Sequence, residues 1–370
     1  MPLPHRVRLV VLFGGRSAEH DVSRVSASHV LRAVDPERYD VVPIGIARDG
    51  TWRLSAEADE LIRSGRAQEL PGSLAVDGPA TAPETSLATN DPHVPTVVMP
   101  ILHGPYGEDG TVQGLLELAG VPYVGAGVLG SAVSMDKAMA KKVLAAATIP
   151  QARWREVRRG ELDDPTLTPS LFDELGDTVF VKPANMGSSV GVSKVTRRAD
   201  LLDALRDALR YDDLVVVEQA VEGRELECAV IGNDEPRASV VGEIVTGADF
   251  YDYEDKYLAG TSRQVVPAEL PDDVSEAARA LALRAYRALR VEGMGRVDMF
   301  LLDHEVGHEL LVNEVNTIPG FTPISMYPMM WQASGLAYAE LIDELVELAI
   351  ERHERRAAHA TEVATSRSDP

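Results

Sequence analysis

The chain has 370 residues, of which 45% are hydrophobic, and this is enough for two or three domains with buried cores. Its formal net charge of −22 argues against a nucleic-acid partner, because nucleic acids are bound mainly through cationic contacts to phosphate. The single cysteine, Cys228, excludes an internal disulfide and any metal site built from several cysteines, and we expect it to be a buried thiol.

The first part of the chain alternates predicted strands and helices. Strands are predicted at residues 7–13, 41–46 and 96–102, and helices begin at about Asp21 and span about 111–119. This order is typical of an open α/β domain with parallel strands. Residues 55–95 are rich in glycine, proline and small side chains, and they are predicted to form a loop or a small insertion.

The second part begins with a helix predicted over residues 131–147. Strands at 179–182 and 190–195 then enclose a loop rich in glycine and serine, and a helix follows at 200–210. Further strands are predicted at 214–218, 225–231, 239–245, 295–302 and 309–315, with helices at about 273–289 and 338–355. The tail after Arg356 is predicted to be disordered.

The N-terminus predicts a strand and not a signal peptide, because Arg6 and Arg8 interrupt its apolar residues and no cleavage site follows. The longest apolar runs, such as residues 214–217, are far too short to span a membrane. We therefore expect a cytoplasmic protein without a membrane partner.

The string GRVDMFLLDHEVGHELLVNEVN predicts a β-hairpin that carries a metal site. Glu314 and Asn316 are two residues apart and share a face, and a turn near Val306 places Asp298 opposite Glu314. Facing carboxylates repel each other unless a cation lies between them, and oxygen ligands of this kind are typical of magnesium. The alternative is a solvated polar face. It is disfavoured by apolar residues of the same parity, which are expected to face inward: Phe300, Leu302, Leu310 and Val312.

The string VFVKPANMGSSVGVSKV indicates a phosphate site. Lys182 ends an apolar strand, where a cation needs an anionic partner. Backbone N–H groups of the loop at Gly187, Ser188 and Ser189 can close over phosphate oxygens. The loop joins two strands and lacks the GxxxxGK[ST] pattern, so it is not a P-loop.

Several charged residues remain open to two interpretations. Glu218 ends a strand and could bind an adenine amino group or a ribose hydroxyl, or could simply reach solvent. His103, in HGPYGEDG, could be a site residue or an ordinary loop histidine. A further group consists of lysines whose spacing on one helix predicts a solvated face: Lys137, Lys141 and Lys142.

The first loop, GGRSAEHDVS, follows a strand and precedes a helix but has no GxGxxG pattern, so it does not support a Rossmann dehydrogenase. Its acid, Glu19, is unsuited to a phosphate and suits a cationic group such as an ammonium. The aromatic and polar segment TGADFYDYEDKYLAGTSRQVVPAEL is predicted to be a lid over a cleft.

Six motifs in this order resemble the ATP-grasp superfamily and, within it, the D-alanine–D-alanine ligases. They are GGxSxEHxVS, HGxxGEDG, KPxxxGSSVG, FYDYExKY, GRVD and NExNTxPGFTxxSMYP, and the resemblance extends from Val7 to about Leu345. It implies an α/β ATP-grasp fold with an N-terminal open parallel domain at 1–130, a central domain at 131–215 and a C-terminal domain at 216–356. The remaining tail is 357–370.

The resemblance also implies which residues bind ATP and metal, and it overrules the solvated-face interpretation of Lys137. The ATP-binding residues would be Lys137, Lys182, Ser188, Ser189, Glu218, Val221, Glu225, Lys256 and Asn313. Two magnesium or manganese ions would be held by Asp298, Glu314 and Asn316.

The implied reaction has two steps. The carboxylate of one D-alanine attacks the γ-phosphate of ATP, and the amine of a second D-alanine then displaces phosphate from the acyl phosphate. Glu19 would bind the first ammonium, His103 would lie near the first carboxylate, and Arg296 would stabilise the oxyanion. The second D-alanine would be positioned by Gly320, Ser325 and Met326.

The second amine must lose a proton before it attacks, and the family links Glu19, Ser188 and Tyr257 in a hydrogen-bonded set. The lid tyrosine, Tyr257, also favours the dipeptide over the depsipeptide D-alanyl-D-lactate, whose ligases lack it. The resemblance further implies a homodimer that supplies a peptidoglycan precursor.

Two alternatives remain. The nearer one is a depsipeptide ligase of the same family. The other is a non-catalytic nucleotide-binding regulator. It is disfavoured because the residues expected to be lost in such a protein are all present: Lys182, Arg296, Asp298, Glu314 and Asn316.

Overall fold

The computed structural model of the protein describes residues 6–88, 93–245, 263–304 and 307–359. The predicted lid residues Lys256 and Tyr257, the predicted turn at Val306 and most of the predicted tail lie outside these ranges. Within them, no helix combines the length and the apolar character needed to cross a bilayer.

The first sheet has the strand order β3-β2-β1-β4, with bounds β1 Val7–Gly14, β2 Tyr39–Ile46, β3 Trp52–Leu54 and β4 Thr96–Ile101. β1 pairs in parallel with β2 and with β4, which confirms the predicted parallel arrangement. The strand β1 is buried on both faces, and this accounts for its almost continuous apolar run. The loops that follow β1 and β4 therefore leave the same edge of the sheet side by side.

The helices associated with this sheet are α1 His20–Ala33, α2 Ala56–Arg63, α3 Pro83–Leu87 and α4 Thr111–Leu118. Of the two predictions for residues 55–95, the loop was wrong, because this segment contains α2 and α3, whereas a small insertion agrees with the structure. These helices have eight and five residues, too few for a helical period to stand out in the sequence. Leu70 and Leu74 are buried in the same hydrophobic cluster as Val30 of α1. The segment thus contributes to the core.

The second sheet is antiparallel and has the order β5-β8-β6-β7, with bounds β5 Trp154–Arg158, β6 Val179–Pro183, β7 Ser193–Val195 and β8 Leu214–Gln219. The associated helices are α5 Val128–Met135, α6 Lys137–Ala146, α7 Leu167–Leu175 and α8 Leu201–Ala208. The predicted domain division after residue 215 falls inside β8, and the division itself stays a prediction.

The single helix predicted at residues 131–147 was wrong, since Asp136 separates α5 from α6. The backbone of Asp136 is extended, with φ −79° and ψ 102°, and its side chain accepts a hydrogen bond from the N–H of Met139. Aspartate at this position caps the new helix by satisfying one of its unpaired N–H groups. The break points the beginning of α6 towards the loop after β6.

The third sheet is antiparallel and has the order β11-β10-β9-β12-β13, with bounds β9 Arg224–Gly232, β10 Arg237–Val245, β11 Arg263–Val265, β12 Gly293–Asp303 and β13 His308–Asn316. The remaining helices are α9 Asp272–Ala288, α10 Met326–Ala333 and α11 Tyr338–Ala357. Cys228, on β9, is fully buried as expected, and burial raises the pKa of its thiol to about 12.

The hairpin register was predicted correctly at the acids, but the inward face was predicted correctly only for Val312. Asp298 lies opposite Glu314, as expected, and the register then shifts so that Met299 pairs with Val312. Val312 is buried, whereas Phe300, Leu302 and Leu310 are only partly buried, and the alternate residues Val297, Met299 and Leu301 of β12 are buried instead. The parity argument was wrong because the face that carries Asp298 turns towards a cleft and not towards the core.

The long helix α11 connects the first and third sheets. It shares one hydrophobic cluster with residues of β1, β4 and β12. Arg352 of α11 is 3% exposed and donates hydrogen bonds to the carbonyls of Gly125 and Tyr123, the latter over 2.7 Å. Gly293, at the start of β12, lies against the backbone of Gly125. These contacts hold the first sheet in place above the third.

Replacing Gly293 by alanine is expected to destabilise the protein more than replacing Gly335. Both glycines have positive φ angles, 73° and 92°, so the backbone strain is comparable, roughly 1–2 kcal/mol. A Cβ at Gly293 would lie 3.1 Å from backbone atoms of Gly125, whereas one at Gly335 meets nothing within 4 Å. We expect a melting temperature several degrees lower for Gly293→Ala than for Gly335→Ala, measured by differential scanning calorimetry. Equal melting temperatures would contradict this contact.

Candidate active site

A cleft of about 1230 Å³ is lined by residues of the second and third sheets and by the loops and the helix α1 that follow strands of the first sheet. Every residue that the sequence analysis assigned to ATP, substrate or metal lines this cleft, except Lys256 and Tyr257, which lie outside the described residues. The assigned lining residues are Glu19, His103, Lys137, Lys182, Ser188, Ser189, Glu218, Val221, Glu225, Arg296, Asp298, Asn313, Glu314, Asn316, Gly320, Ser325 and Met326.

The loops after β1 and β4 form one end of the cleft. The hydroxyl of Ser17 donates to the carbonyl of His103 over 2.7 Å, and Nδ1 of His103 lies 2.9 Å from the carbonyl oxygen of Ile318. A carbonyl only accepts, so Nδ1 carries a proton, and Nε2 has no partner among the described residues. Glu19 is 8% exposed. Its Oε2 is so close to Gly104 that a Cβ on that residue would lie only 2.9 Å away.

Two lysines contact the carboxylate of Glu218 on β8. Nζ of Lys182 donates to Oε2 over 2.9 Å, and Nζ of Lys141 lies 3.4 Å from Oε1. Burial would raise the pKa of Glu218, but the two ammonium groups outweigh it and lower the pKa to about 2. Burial would lower the pKa of Lys182, but Glu218 and Glu314 raise it. Glu218 is 4% exposed, so it is not an acid that merely reaches solvent.

Lys137 begins α6 and reaches the loop that follows β6, where its Nζ donates to the carbonyl of Met186 over 2.5 Å. In the same loop Ser188 and Ser189 have φ angles of 50° and 58°. This left-handed conformation is uncommon for residues other than glycine and turns the backbone sharply over the cleft. Lys137 thus lies at the loop and does not belong to a solvated face.

An apolar section of the cleft lies beside these charges. Val221 is in the turn between β8 and β9, and Glu225 is on β9. Phe180, Val192 and Met299 line the same cleft. Apolar walls with an acid at the edge suit a flat heterocycle that carries hydrogen-bond donors.

The floor of the cleft carries a guanidinium surrounded by acids. Nε and Nη2 of Arg296 each donate to an oxygen of Asp298 over 2.7 Å, and Nδ2 of Asn316 donates to the same carboxylate over 2.9 Å. Arg296 also lies 3.0 Å from Glu227. The carboxylates of Asp298, Glu227 and Glu314 raise the pKa of Arg296, so this guanidinium stays charged despite its burial.

These side chains fit a divalent cation that is completed by phosphate and water oxygens. Among the residues that the structure describes, no three His, Cys, Asp or Glu side chains form a metal-binding group. Asp298 and Glu314 supply two carboxylates on paired strands, which is the usual protein share of a magnesium site. Asn316 directs its amide nitrogen to Asp298, so the amide must turn over to act as a ligand.

The beginning of α10 closes the other side of the cleft. Ser325 precedes this helix, and its hydroxyl accepts a hydrogen bond from the N–H of Thr322 over 3.1 Å. A Cβ at Gly320 would lie 3.1 Å from that hydroxyl, so the two residues are in close contact. Backbone N–H groups at the start of a helix, here at Met326, favour a carboxylate.

Glu108, in the HGPYGEDG loop, was not assigned by the sequence analysis. Its carboxylate accepts hydrogen bonds from the N–H of Gly104 over 2.7 Å and from the N–H of Ile318 over 3.1 Å. Burial and the nearby Glu19 raise the pKa of Glu108 to about 8. Through its two hydrogen bonds, Glu108 links the loop after β4 to the chain that leaves β13.

Glu227 was not assigned, and the prediction that Lys141 belongs to a solvated face was wrong, because Lys141 is 2% exposed beside Glu218. The sequence contained a spacing signal for each. Glu227 is two residues from Glu225, so the strand period places both on one face. Lys141 is four residues from Lys137, so the helix period places both on one side. These spacings show which residues share a face, but they do not show which residues of another element pack against that face.

Two family models match the chain. The model described as D-ala D-ala ligase N-terminus matches residues 8–126, and that described as D-ala D-ala ligase C-terminus matches residues 143–347. A D-alanine–D-alanine ligase A from Chromobacterium violaceum is 47% identical over 359 residues, with 94% of this chain and 96% of the relative covered. A D-alanine–D-alanine ligase from Acetivibrio thermocellus is 44% identical over 364 residues, with the same coverage.

Solved structures are similar as well. The D-alanine–D-alanine ligase from Coxiella burnetii has a TM-score of 0.77 and 34% identity, and 95% of this chain and 96% of that chain are covered. The VanG D-Ala:D-Ser ligase from Enterococcus faecalis has a TM-score of 0.78 and 35% identity, with 93% and 99% covered.

Glu108 is expected to make stability fall as pH rises. The pKa of Glu108 is raised to about 8 in the folded protein from an ordinary value of 4.5, so the folded state holds a proton that the unfolded state has lost. The stabilisation of the folded state by this proton is full below pH 4.5 and is lost by about pH 8. In between, the free energy of unfolding falls by on the order of 1 kcal/mol per pH unit. In Glu108→Gln, without metal or nucleotide, the melting temperature should change less between pH 5 and 8. An unchanged pH dependence would contradict the raised pKa.

Proposed function

This chain belongs to the D-alanine–D-alanine ligase family, and we propose that it joins two D-alanine molecules while it converts one ATP to ADP and phosphate. The ATP-grasp fold expected from the sequence is confirmed by the solved ligases that the structure matches. The enzyme is an ATP-dependent ligase that forms a C–N bond, and its dipeptide product serves peptidoglycan synthesis.

One observation carries this proposal, namely that a single cleft contains three different charge environments. Lys182 and Glu218 form a cation and acid pair suited to a nucleotide, and Asp298 with Glu314 forms an acidic pair suited to a divalent cation. Glu19, buried at the far end, suits an ammonium. A dipeptide ligase that uses ATP requires all three together.

ATP is the substrate that the nucleotide side would hold. Lys137 and Lys182 would contact phosphate oxygens, and their position in the cleft beside the loop of Ser188 and Ser189 supports this. Glu218 would accept a hydrogen bond from the adenine amino group, and Glu225 would accept from ribose hydroxyls. Further contacts to ATP are proposed for Val221, Asn313 and Lys256.

Asp298, Glu314 and Asn316 would hold two magnesium or manganese ions. When bound there, these ions would supply charge neutralisation for the phosphates of ATP. Asp298 would have to share its oxygens, which Arg296 now occupies. The released donors of Arg296 are then free to stabilise the oxyanion of the acyl transfer.

The amino-acid side begins at Glu19, which would bind the ammonium of the first D-alanine. His103 would donate from Nε2 to the carboxylate, and because Nδ1 already donates to Ile318, this requires a doubly protonated ring. Gly320, Ser325 and Met326 would hold the second carboxylate at the start of α10.

The second ammonium must lose its proton, and the proposed acceptor is the hydrogen-bonded set of Glu19, Ser188 and Tyr257. Glu19 lies next to Gly187, since a Cβ there would be 3.1 Å from its carboxylate, and this supports a link to Ser188. The same set, through Tyr257, is proposed to favour an amine over the hydroxyl of D-lactate.

With ATP, magnesium and D-alanine, the protein is expected to release phosphate and form D-alanyl-D-alanine in equal amounts. D-Lactate added with D-alanine should give only a minor product, because the set of Glu19, Ser188 and Tyr257 is proposed to favour an amine over a hydroxyl. Glu314→Ala is expected to lower turnover by roughly 1000-fold or more, because it removes a metal ligand. Phosphate is measured by a coupled assay and the products by mass spectrometry.

The controls separate the parts of this proposal. The melting temperature of Glu314→Ala should stay close to that of the wild type, because the change removes one of two facing acids. No phosphate release with D-alanine would contradict ligase activity, and substantial activity of Glu314→Ala would contradict the metal assignment. A main product of D-alanyl-D-lactate would establish the depsipeptide alternative.

A cytoplasmic location is also proposed, since both substrates are intracellular metabolites. A homodimer is proposed from the exposed apolar side chains of two helices. The neighbouring helices α4 and α5 expose apolar side chains, among them Leu118 at 91% and Leu129 at 50%. Such patches are usually covered by a partner. Sedimentation equilibrium should give twice the mass of the 40.0 kDa chain, and Leu118→Lys with Leu129→Lys should give the monomer mass. A monomeric wild type would contradict the dimer.

A further inference from the structure

Three lysines on α6 have different surroundings, although their spacing along the chain predicts one common face. Lys142 is exposed and forms an ion pair with Glu156 at 2.7 Å. Lys137 enters the cleft. Lys141, one helical turn further on, does not line the cleft, is 2% exposed, and has its Nζ beside the carboxylate of Glu218. The mechanism proposed above uses Lys137 but gives no task to Lys141.

Lys141 is an unusual cation because its ammonium has few polar neighbours. Its Nζ lies 3.4 Å from Oε1 of Glu218 and makes no hydrogen bond among the described residues. Burial lowers the pKa of Lys141, although the charge of Glu218 acts in the opposite direction. A buried cation costs several kcal/mol unless an acid lies beside it, so the charge of Lys141 depends on its ion pair with Glu218.

The second observation concerns the position of the two lysines around Glu218. Lys182 and Glu218 both line the cleft, whereas Lys141 does not and lies behind them. Lys141 approaches Oε1 and Lys182 approaches Oε2, so each ammonium has its own oxygen. Lys141 and Lys182 therefore share the carboxylate of Glu218, and the three side chains together carry one net positive charge.

This arrangement matters when a nucleotide arrives. If Lys182 were the only counterion of Glu218, its movement to a phosphate would leave a buried carboxylate unpaired, which is strongly unfavourable. Glu218 would then either retain Lys182 or take up a proton. Lys141 removes this conflict because it stays beside Glu218 whether or not the cleft is filled.

We propose that Lys141 is a positioning residue that keeps Glu218 ionised and directed at the adenine amino group while Lys182 neutralises phosphate. The proposal rests on the nucleotide site described under the proposed function. It makes Lys141 a determinant of ATP affinity and of the choice of adenine over guanine. A carboxylate accepts from the adenine amino group and repels the guanine oxygen, whereas a protonated Glu218 could donate to that oxygen.

Lys141→Met, which removes the charge and preserves the apolar stem, is the test. The KM for ATP is expected to rise roughly 10- to 100-fold, as expected for the loss of a buried charge partner. The KM for D-alanine should stay unchanged, and the preference for ATP over GTP in kcat/KM should fall. Lys141→Arg should restore part of both properties. Lys142→Met, the matched change on the same helix, should leave all of them within roughly twofold.

A double-mutant cycle separates positioning from a general structural role. In the background of Glu218→Gln, the further change Lys141→Met should alter the KM for ATP by less than roughly threefold, because no charge remains to be compensated. The proposal is overturned if the two changes are additive, or if Lys141→Met lowers kcat while the ATP-to-GTP preference stays the same.

ATP binding measured by isothermal titration calorimetry, without D-alanine, tests the proposal independently of catalysis. Weaker ATP binding by Lys141→Met at an unchanged melting temperature supports it, and equal binding overturns it. If Lys141→Met does not fold, Lys141→Gln serves in the same measurement. A wild type that binds ATP but forms no dipeptide would contradict the proposed function and leave this test valid.

Discussion

An ionised carboxylate that is buried without a partner costs several kcal/mol, and the cleft is organised by this constraint. Glu218 lies between Lys141 and Lys182, and Asp298 receives two donors from Arg296. Each acid thereby fixes the position of a lysine or arginine side chain before any substrate binds. Under the proposed function, those cations would be available for phosphate oxygens and for a developing oxyanion, which is the charge that ATP-dependent acyl transfer introduces.

The three sheets make this arrangement possible because each contributes an edge or a loop to one cleft. The second sheet supplies Glu218 and Lys182, and the third supplies Asp298, Glu314 and Arg296. The loops of the first sheet are joined to the chain after β13 at Ile318, which contacts both His103 and Glu108. Hydrogen bonds between these two side chains and the backbone of Ile318 therefore hold the loop after β4 against the chain that leaves β13.

Local spacing predicted the facing acids of the candidate site, whereas most other assignments came from the resemblance, and the errors have physical reasons. Asp298 was placed opposite Glu314 correctly, because a hairpin pairs residues at equal distances from its turn. The inward face was wrong because an apolar residue such as Phe300 can line a cleft as well as a core. The helix at residues 131–147 was predicted as one element because Asp136 caps α6 without glycine or proline to signal a break.

By itself, the sequence determined the family, the order of the motifs and the kinds of side chain available for nucleotide, metal and ammonium. These properties follow from residue identity and from spacings of two or four residues along one element. Only the tertiary structure decided that Lys141 is buried beside Glu218 while Lys142 is exposed. The spacing along a helix gives the direction of a side chain, but the strand that it meets comes from another part of the chain, so burial and charge pairing depend on the folded arrangement.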